Sequence, residues 1–198
     1  IVVETLPLSF LLSFSIGLGV LFLLLVTAFE QPNPWLHRLF VGFVTPSTAL
    51  AGFAFLFMGS NEGIGIFLKY IFCFVVLVFS SLYRMGWDQE LLSLRKQIET
   101  AFVLGADRLQ IFIEITLPQL ISKATTIAAI GSLWALGDFA LARILIGRDA
   151  TVAMLSETLM SSYRVDAGLA ITSFIVLIGA FQFLIFQGIA YVYRRKFI

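Results

Sequence analysis

Residues 6–29 read LPLSFLLSFSIGLGVLFLLLVTAF, an unbroken apolar run with no charged position. About 20 helical residues cross the apolar core of a bilayer. A continuous run of this kind signals a membrane-spanning helix, whereas a membrane barrel would alternate with period two. Four further runs follow. Leu39 to Asn61 and Ala167 to Tyr193 carry no charge; Ile64 to Tyr83 carries only Lys69; Gln119 to Ala142 carries Lys123 and Asp138 near its two ends. Lys69 stands close enough to the start of its run to snorkel to the interface. The expected fold is all-α: a polytopic transmembrane bundle of about five spans, forming one domain over 1–198.

The composition agrees. Of the 198 residues 60% are hydrophobic and 13% charged, against about 25% charged in a soluble domain. A soluble globular domain, a disordered chain and a collagen-like fibre are excluded. The net charge of +1 lacks the electrostatic footprint of a nucleic-acid binder.

Little in the chain suggests catalysis. Cys73 is the one cysteine and His37 the one histidine, so no CxxC or Cys/His cluster exists to hold a metal. Cys73 reads as a small buried hydrophobe and His37 as an interfacial residue. There is no GxxxxGK to cradle phosphates, and no Ser/His/Asp or Cys/His set. The expectation is a non-enzyme that binds no cofactor or metal itself. The chain starts at Ile1 without a basic leader, which reads as a fragment, a processed form or one half of a longer protein.

Polar sequence interrupts the apolar runs at one main place. Arg84 to Pro118 holds nine charges: Arg84, Asp88, Glu90, Arg95, Lys96, Glu99, Asp107, Arg108 and Glu114. A second break, Arg143 to Asp166, is amphipathic and suits a short interfacial helix. Gln31–Arg38, punctuated by Pro32 and Pro34, and Glu62–Gly63 read as turns. Basic residues concentrate on the cytoplasmic side of membrane proteins. Placing the C-terminus there puts nine Lys and Arg inside and four outside (Lys69, Arg143, Arg148 and Arg164). The expected topology has an external N-terminus and a cytoplasmic 84–118 loop. On the fourth span Ala124, Ala128 and Ser132 recur at i, i+4, i+8, with Gly131 and Ala135 beside them, a stripe that lets helix backbones approach closely.

The long loop reads as two amphipathic helices. Leu91, Leu94, Ile98, Ala101 and Phe102 fall at helical spacing. Gly105 interrupts them and suits a sharp bend, because glycine tolerates positive φ. Arg108 to Leu117 is apolar at Phe112, Ile115 and Leu117. Pro118 is then expected to open the fourth span, where its missing N–H costs little.

Glu99-Thr100-Ala101, three residues, Gly105, nine residues, Ile115, one residue, Leu117-Pro118 resembles the EAA motif of ABC-transporter permeases of the binding-protein-dependent import class. That motif runs E-A-A, x3, G, x9, I, x, L-P. Only Thr100 departs from it, adding a hydroxyl and a branch where the family has a methyl. The resemblance implies a coupling helix that docks on a cytoplasmic ABC ATPase subunit. Glu99 would face a basic group there, Ala101 would lie against the ATPase surface and Gly105 would form the bend. It further implies ATP-Mg on that partner, an external or periplasmic solute-binding protein, a second permease bundle, fused or separate, and residence among the lipids of the bacterial inner membrane. Leu136-Gly137-Asp138-Phe139, Ser162-Tyr163-Arg164 and Asp166-Ala167 look like permeases of the thiamine and ferric-iron uptake type, in which two bundles are often fused. The chain would then be the C-terminal half of such a fusion.

Two other classes stay open: a non-transporting membrane scaffold whose loop binds a cytoplasmic partner, and a passive channel. An acidic residue in a span reads by default as functional or paired. Asp138, with Gly137 and Phe139, is therefore a candidate for the translocation path. The alternative is an interfacial or helix-end residue, with Arg143 or Arg164 as its ion-pair partner.

Overall fold

The computed structural model describes residues 2–30, 35, 48–57, 64–147 and 151–197. Among them the ordered elements are all helical. We number them α1 (Val2–Phe29), α2 (Thr48–Leu56), α3 (Ile64–Leu82), α4 (Asp88–Val103), α5 (Arg108–Ile111), α6 (Leu117–Gly137), α7 (Ala140–Leu145), α8 (Val152–Ser161) and α9 (Val165–Phe197). Single π-helical turns, Tyr83–Trp87 and Phe112–Thr116, join α3 to α4 and α5 to α6.

Four helical stretches are long and apolar enough to cross a membrane: Thr5–Phe29, Ile64–Val103, Arg108–Gly137 and Val165–Arg195. They make the chain a multi-pass membrane protein. The expected span Leu39–Asn61 is represented only by α2 and Phe57, its remaining residues lying outside the described ones. Ile1, His37, Arg38, Arg148 and the turn residues Gln31–Pro34 and Glu62–Gly63 also lie outside them.

The centre of the bundle is α6, which packs on α1 and α9, while α1 also packs on α3. Lipid tails are as apolar as leucine, so close van der Waals fit and interhelical hydrogen bonds must hold such helices together. The small-residue stripe supplies the fit: Ala124, Ala128 and Ser132 are all fully buried. Opposite it stands Gly17 of α1. A Cβ there would lie 2.9 Å from Ser132 Cβ and 2.7 Å from the Phe186 ring, so three helices meet where only a hydrogen fits. Polar side chains add the hydrogen bonds. Gln182 Nε2 donates to Ser13 Oγ at 2.7 Å, Gln187 Nε2 to Thr126 Oγ1 at 2.9 Å, and Trp87 Nε1 to Thr27 Oγ1 at 3.1 Å.

Two expected boundaries move. Pro118 stands in the first turn of α6, as expected, but helical backbone does not begin there. The helical run begins at Arg108, capped by Asp107, and continues through the π turn into α6. Leu117 N–H donates to Phe112 O, five residues back, immediately before the proline. That widened turn accommodates a ring that would otherwise clash with a carbonyl of the preceding turn. The second correction is at the far end. The run expected to reach Ala142 stops at Gly137; Asp138 is extended (φ −78°, ψ 122°) and α7 starts afresh at Ala140.

Candidate functional site

The residues of the motif-like stretch form a helical corner at one end of the bundle. Leu91, Leu94, Ile98 and Ala101 of α4 are buried, so most of the periodic face packs inward as its spacing predicts, whereas Phe102, expected on the same face, is exposed in the last turn of the helix. At the end of α4 the backbone turns by a Schellman arrangement. Gly105 N–H donates to Phe102 O and Ala106 N–H to Ala101 O, with Gly105 at φ +87°. This satisfies carbonyls that the helix end leaves without partners. No atom lies within 4 Å of a Cβ built on Gly105, so φ rather than crowding favours glycine there. Asp107 then starts α5 with a capping box: Leu109 N–H donates to its carboxylate, and its own N–H donates to Gln110 Oε1 at 3.2 Å.

The corner is fastened to the bundle on two sides. Gln119 Nε2 donates to Gln97 Oε1 at 2.9 Å and Lys123 Nζ stands 3.7 Å from Glu90, tying α4 to α6. Arg108 lies 3.8 Å from Glu30 and 5.8 Å above the Phe29 ring, and Phe29 meets Phe112 edge to face, tying α5 and the π turn to the end of α1.

Three motif positions converge. Thr100, Ala101 and Ile115 line one open hollow of about 400 Å³, with Lys96, Gln97 and Leu104. Beside it the chain exposes apolar side chains in an otherwise polar loop: Val103 is 88% exposed and Leu104 81%. Leu117 and Pro118 are half-buried at the start of α6, away from the rim of the hollow. Glu99 is exposed and already carries a partner within its own helix, Arg95 Nε at 2.7 Å. The Thr100 hydroxyl donates to Lys96 O at 2.8 Å, so the extra hydroxyl is satisfied by its own helix.

One positioning residue was not singled out from the sequence. Gly86 sits at φ 109°, ψ 5°, and with Met85 (φ −75°, ψ 24°) it kinks the chain between α3 and α4. The available signal was a glycine among Arg84, Trp87 and Asp88, where an apolar span meets charged sequence.

The second candidate group lies at the opposite end of α6. The half-buried Asp138 accepts from Leu141 N–H at 3.1 Å and Ala142 N–H at 3.2 Å, capping the first turn of α7. Neither expected basic partner is used: Arg143 pairs with Glu157 of α8, and Asp138 forms no ion pair among the described residues. The reason is local. The free N–H groups of a new helix lie within reach of a carboxylate placed two residues before it, whereas Arg143 emerges further along α7 toward α8. Gly137 and Phe139, on either side, are exposed. No group of three or more His, Cys, Asp or Glu able to hold a metal occurs among the described residues.

No known protein family, curated protein or solved structure matches the chain.

Proposed function

We propose that the chain is the membrane-spanning permease subunit of an ATP-driven ABC importer, and that the α4–α5 corner is its coupling loop. One observation carries the reading. The spaced residues run through a left-handed corner at Gly105, where Thr100, Ala101 and Ile115 share a hollow next to exposed Val103 and Leu104, while Leu117 and Pro118 stand at the start of α6. An exposed apolar patch rimmed by polar residues favours a protein contact. The partner in this reading is a cytoplasmic ABC ATPase carrying ATP-Mg. An external solute-binding protein delivers the solute, and a second bundle, separate or fused, completes the pathway in the bacterial inner membrane. In this reading the charge-free run 39–61 counts as a fifth span from its sequence, and the nine-to-four division of basic residues favours a cytoplasmic corner.

The mechanism is alternating access. Closure of the ATPases displaces the corner, and the contacts Gln97–Gln119, Glu90–Lys123, Phe29–Phe112 and Arg108–Glu30 pass that displacement to α6 and α1. ATP binding drives transport only by favouring one arrangement of the bundle over the other. The break at Gly137–Phe139 is the proposed outer part of the path, with the Asp138 carboxylate holding it open as the cap of α7.

Co-purification from the native membrane tests the reading. We expect a P-loop ATPase whose ATP turnover responds to this chain, with the response lost in Val103→Asp/Leu104→Asp. A complex without such an ATPase, or turnover indifferent to the double variant, overturns it and returns the chain to a scaffold or channel.

A further inference from the structure

An apolar hollow opens between α1 and α9. The two helices run parallel: the rings of Phe10 and Phe181 lie 6.2 Å apart, and those of Phe14 and Phe186 5.4 Å. Nearer the starts of both helices, Leu6, Pro7, Phe10, Leu11, Phe174 and Ile178 line an open space of about 460 Å³. All six side chains are apolar. The walls are fixed from behind, because Gln182 Nε2 donates to Ser13 Oγ at 2.7 Å and to Phe10 O at 3.2 Å. α6 and α9 are antiparallel, with Gln187 on Thr126 and Gly179 against Leu133, so the hollow lies toward the end of the bundle remote from the α4–α5 corner.

A lane leads from the hollow to the α8–α9 corner. Phe174, Ala170 and Ala167 fall at i, i−4 and i−7 on one face of α9, and all three are exposed. The two alanines keep that face low. One turn before Ala167 stands Tyr163, 95% exposed, at φ 61°. A bulky side chain with positive φ is an outlier, and such strain clusters at sites that clamp a ligand. The corner holds it firmly: Tyr163 N–H donates to Met160 O at 3.2 Å, Arg164 N–H to Leu159 O at 3.0 Å and Ser156 Oγ to Gly168 O at 3.2 Å. The exposed Arg164 side chain makes no ion pair among the described residues.

Depth decides what fits there. Tyr191 and Tyr193, followed by Arg194 and Arg195, mark one membrane interface on α9. From Tyr191 back to Val165 is 26 residues, about 39 Å of helix, or about 37 Å with a typical tilt of about 20°. The hydrocarbon core takes about 30 Å of that. The start of α9 thus stands about 7 Å beyond the core, which places Tyr163 and Arg164 among the headgroups. Phe174 and Ile178 then lie about 6–12 Å inside the core, within a single leaflet. A phenol and a free cation at phosphate level, above an apolar hollow at acyl-chain level, match an amphiphile. A guanidinium suits a phosphate in particular, because its paired N–H donors fit two oxygens. A soluble protein would not reach the hollow, and the apolar flank of a second copy offers nothing to the cation.

We propose that the α1–α9 hollow and the Tyr163–Arg164 corner form one binding site for a single phospholipid. One acyl chain runs past Ala167 and Ala170 into the hollow, and Arg164 holds the phosphate with the Tyr163 phenol beside it. Tails gain little by leaving other tails, so chain fit alone does not retain a lipid; the hollow and the phosphate contact act together. The site depends on α9 crossing the membrane and is independent of the importer reading.

The test is native mass spectrometry of the full chain, delipidated in detergent and titrated with palmitoyl-oleoyl phosphatidylethanolamine. We expect one phospholipid retained per chain, and at least fivefold less of the diacylglycerol with the same tails. Arg164→Glu at the rim and Ala170→Trp, which blocks the lane from an exposed position, should each lower retention at least fivefold. Neither should change the melting temperature measured without added lipid. Equal retention of the diacylglycerol, or full retention in either variant, overturns the proposal. A photo-crosslinking residue at position 163, read in the full chain in its native membrane, gives a second measurement that does not depend on these variants. Crosslinks to phospholipid support the site; crosslinks confined to a second copy of the chain or to a soluble protein overturn it.

Discussion

Two corners of this molecule use the same hydrogen bonds with opposite side-chain choices. At the end of α4, Gly105 and Ala106 donate back to Phe102 and Ala101; at the end of α8, Tyr163 and Arg164 donate back to Met160 and Leu159. Both central residues are left-handed, at φ +87° and φ 61°. Glycine adopts that conformation with no Cβ penalty, whereas an L-residue pays about 1–2 kcal/mol. The first corner is therefore encoded locally. The second is imposed by its surroundings, through the Ser156–Gly168–Thr172 hydrogen bonds and the tight passage of Gly168 past Met160. A backbone motif can be written in the sequence or enforced by packing, and only the first kind shows as a glycine.

The comparison can be broken most sharply at its support. Gly168→Leu drives a side chain into Met160 and Ser156, and overpacking of this kind costs about 1–3 kcal/mol. The detergent-solubilised protein should unfold correspondingly earlier, and a cysteine pair across α8 and α9 should crosslink less. An unaltered melting temperature would show that the α8–α9 corner does not depend on this contact.

The glycine corner comes next. Gly105→Ala adds Cβ strain of about 1–2 kcal/mol in open space, so the loss should appear in denaturant unfolding without any steric clash. A variant as stable as the parent would mean that φ at this position is not fixed. Asp138→Ala removes the acceptor from Leu141 and Ala142 N–H, a cap loss of about 1 kcal/mol, while Asp138→Asn should keep most of it. If the two variants melt together, capping is not what Asp138 contributes.

Smaller effects sharpen the contrast. Tyr163→Gly should stabilise by about 0.5–1 kcal/mol, the relief of strain being partly offset by the greater freedom of glycine in the unfolded chain. The same glycine-for-side-chain logic thus acts with opposite sign at the two corners, and a destabilised Tyr163→Gly would end the parallel. Arg95→Ala should cost no more than about 0.5 kcal/mol, because Arg95–Glu99 is an exposed i,i+4 pair. Raising the salt concentration should erase even that difference.

Much of this was legible in the residues themselves. Charge-free runs determine membrane helices, because a bilayer leaves backbone polar groups no other partners. The buried face of α4 follows from the spacing of Leu91, Leu94, Ile98 and Ala101, and the left-handed corner from Gly105. Tertiary structure decided the rest. Pro118 reads as a helix start and does stand in the first turn of α6, yet the π turn before it carries helical backbone on from Arg108. Asp138 reads as a path residue or a helix-end residue with Arg143 or Arg164 as its partner; it does stand at a helix end and caps α7, but Arg143 reaches Glu157 on α8 instead. Thr100, Ala101 and Ile115 meet in one hollow only because α4 and α5 fold back on each other. Tyr163 adopts a glycine conformation because the helices on either side of it are locked together. Periodicity and hydropathy are sums over neighbours along the chain. The partner of a carboxylate and the φ of a tyrosine depend on residues that only packing brings within reach.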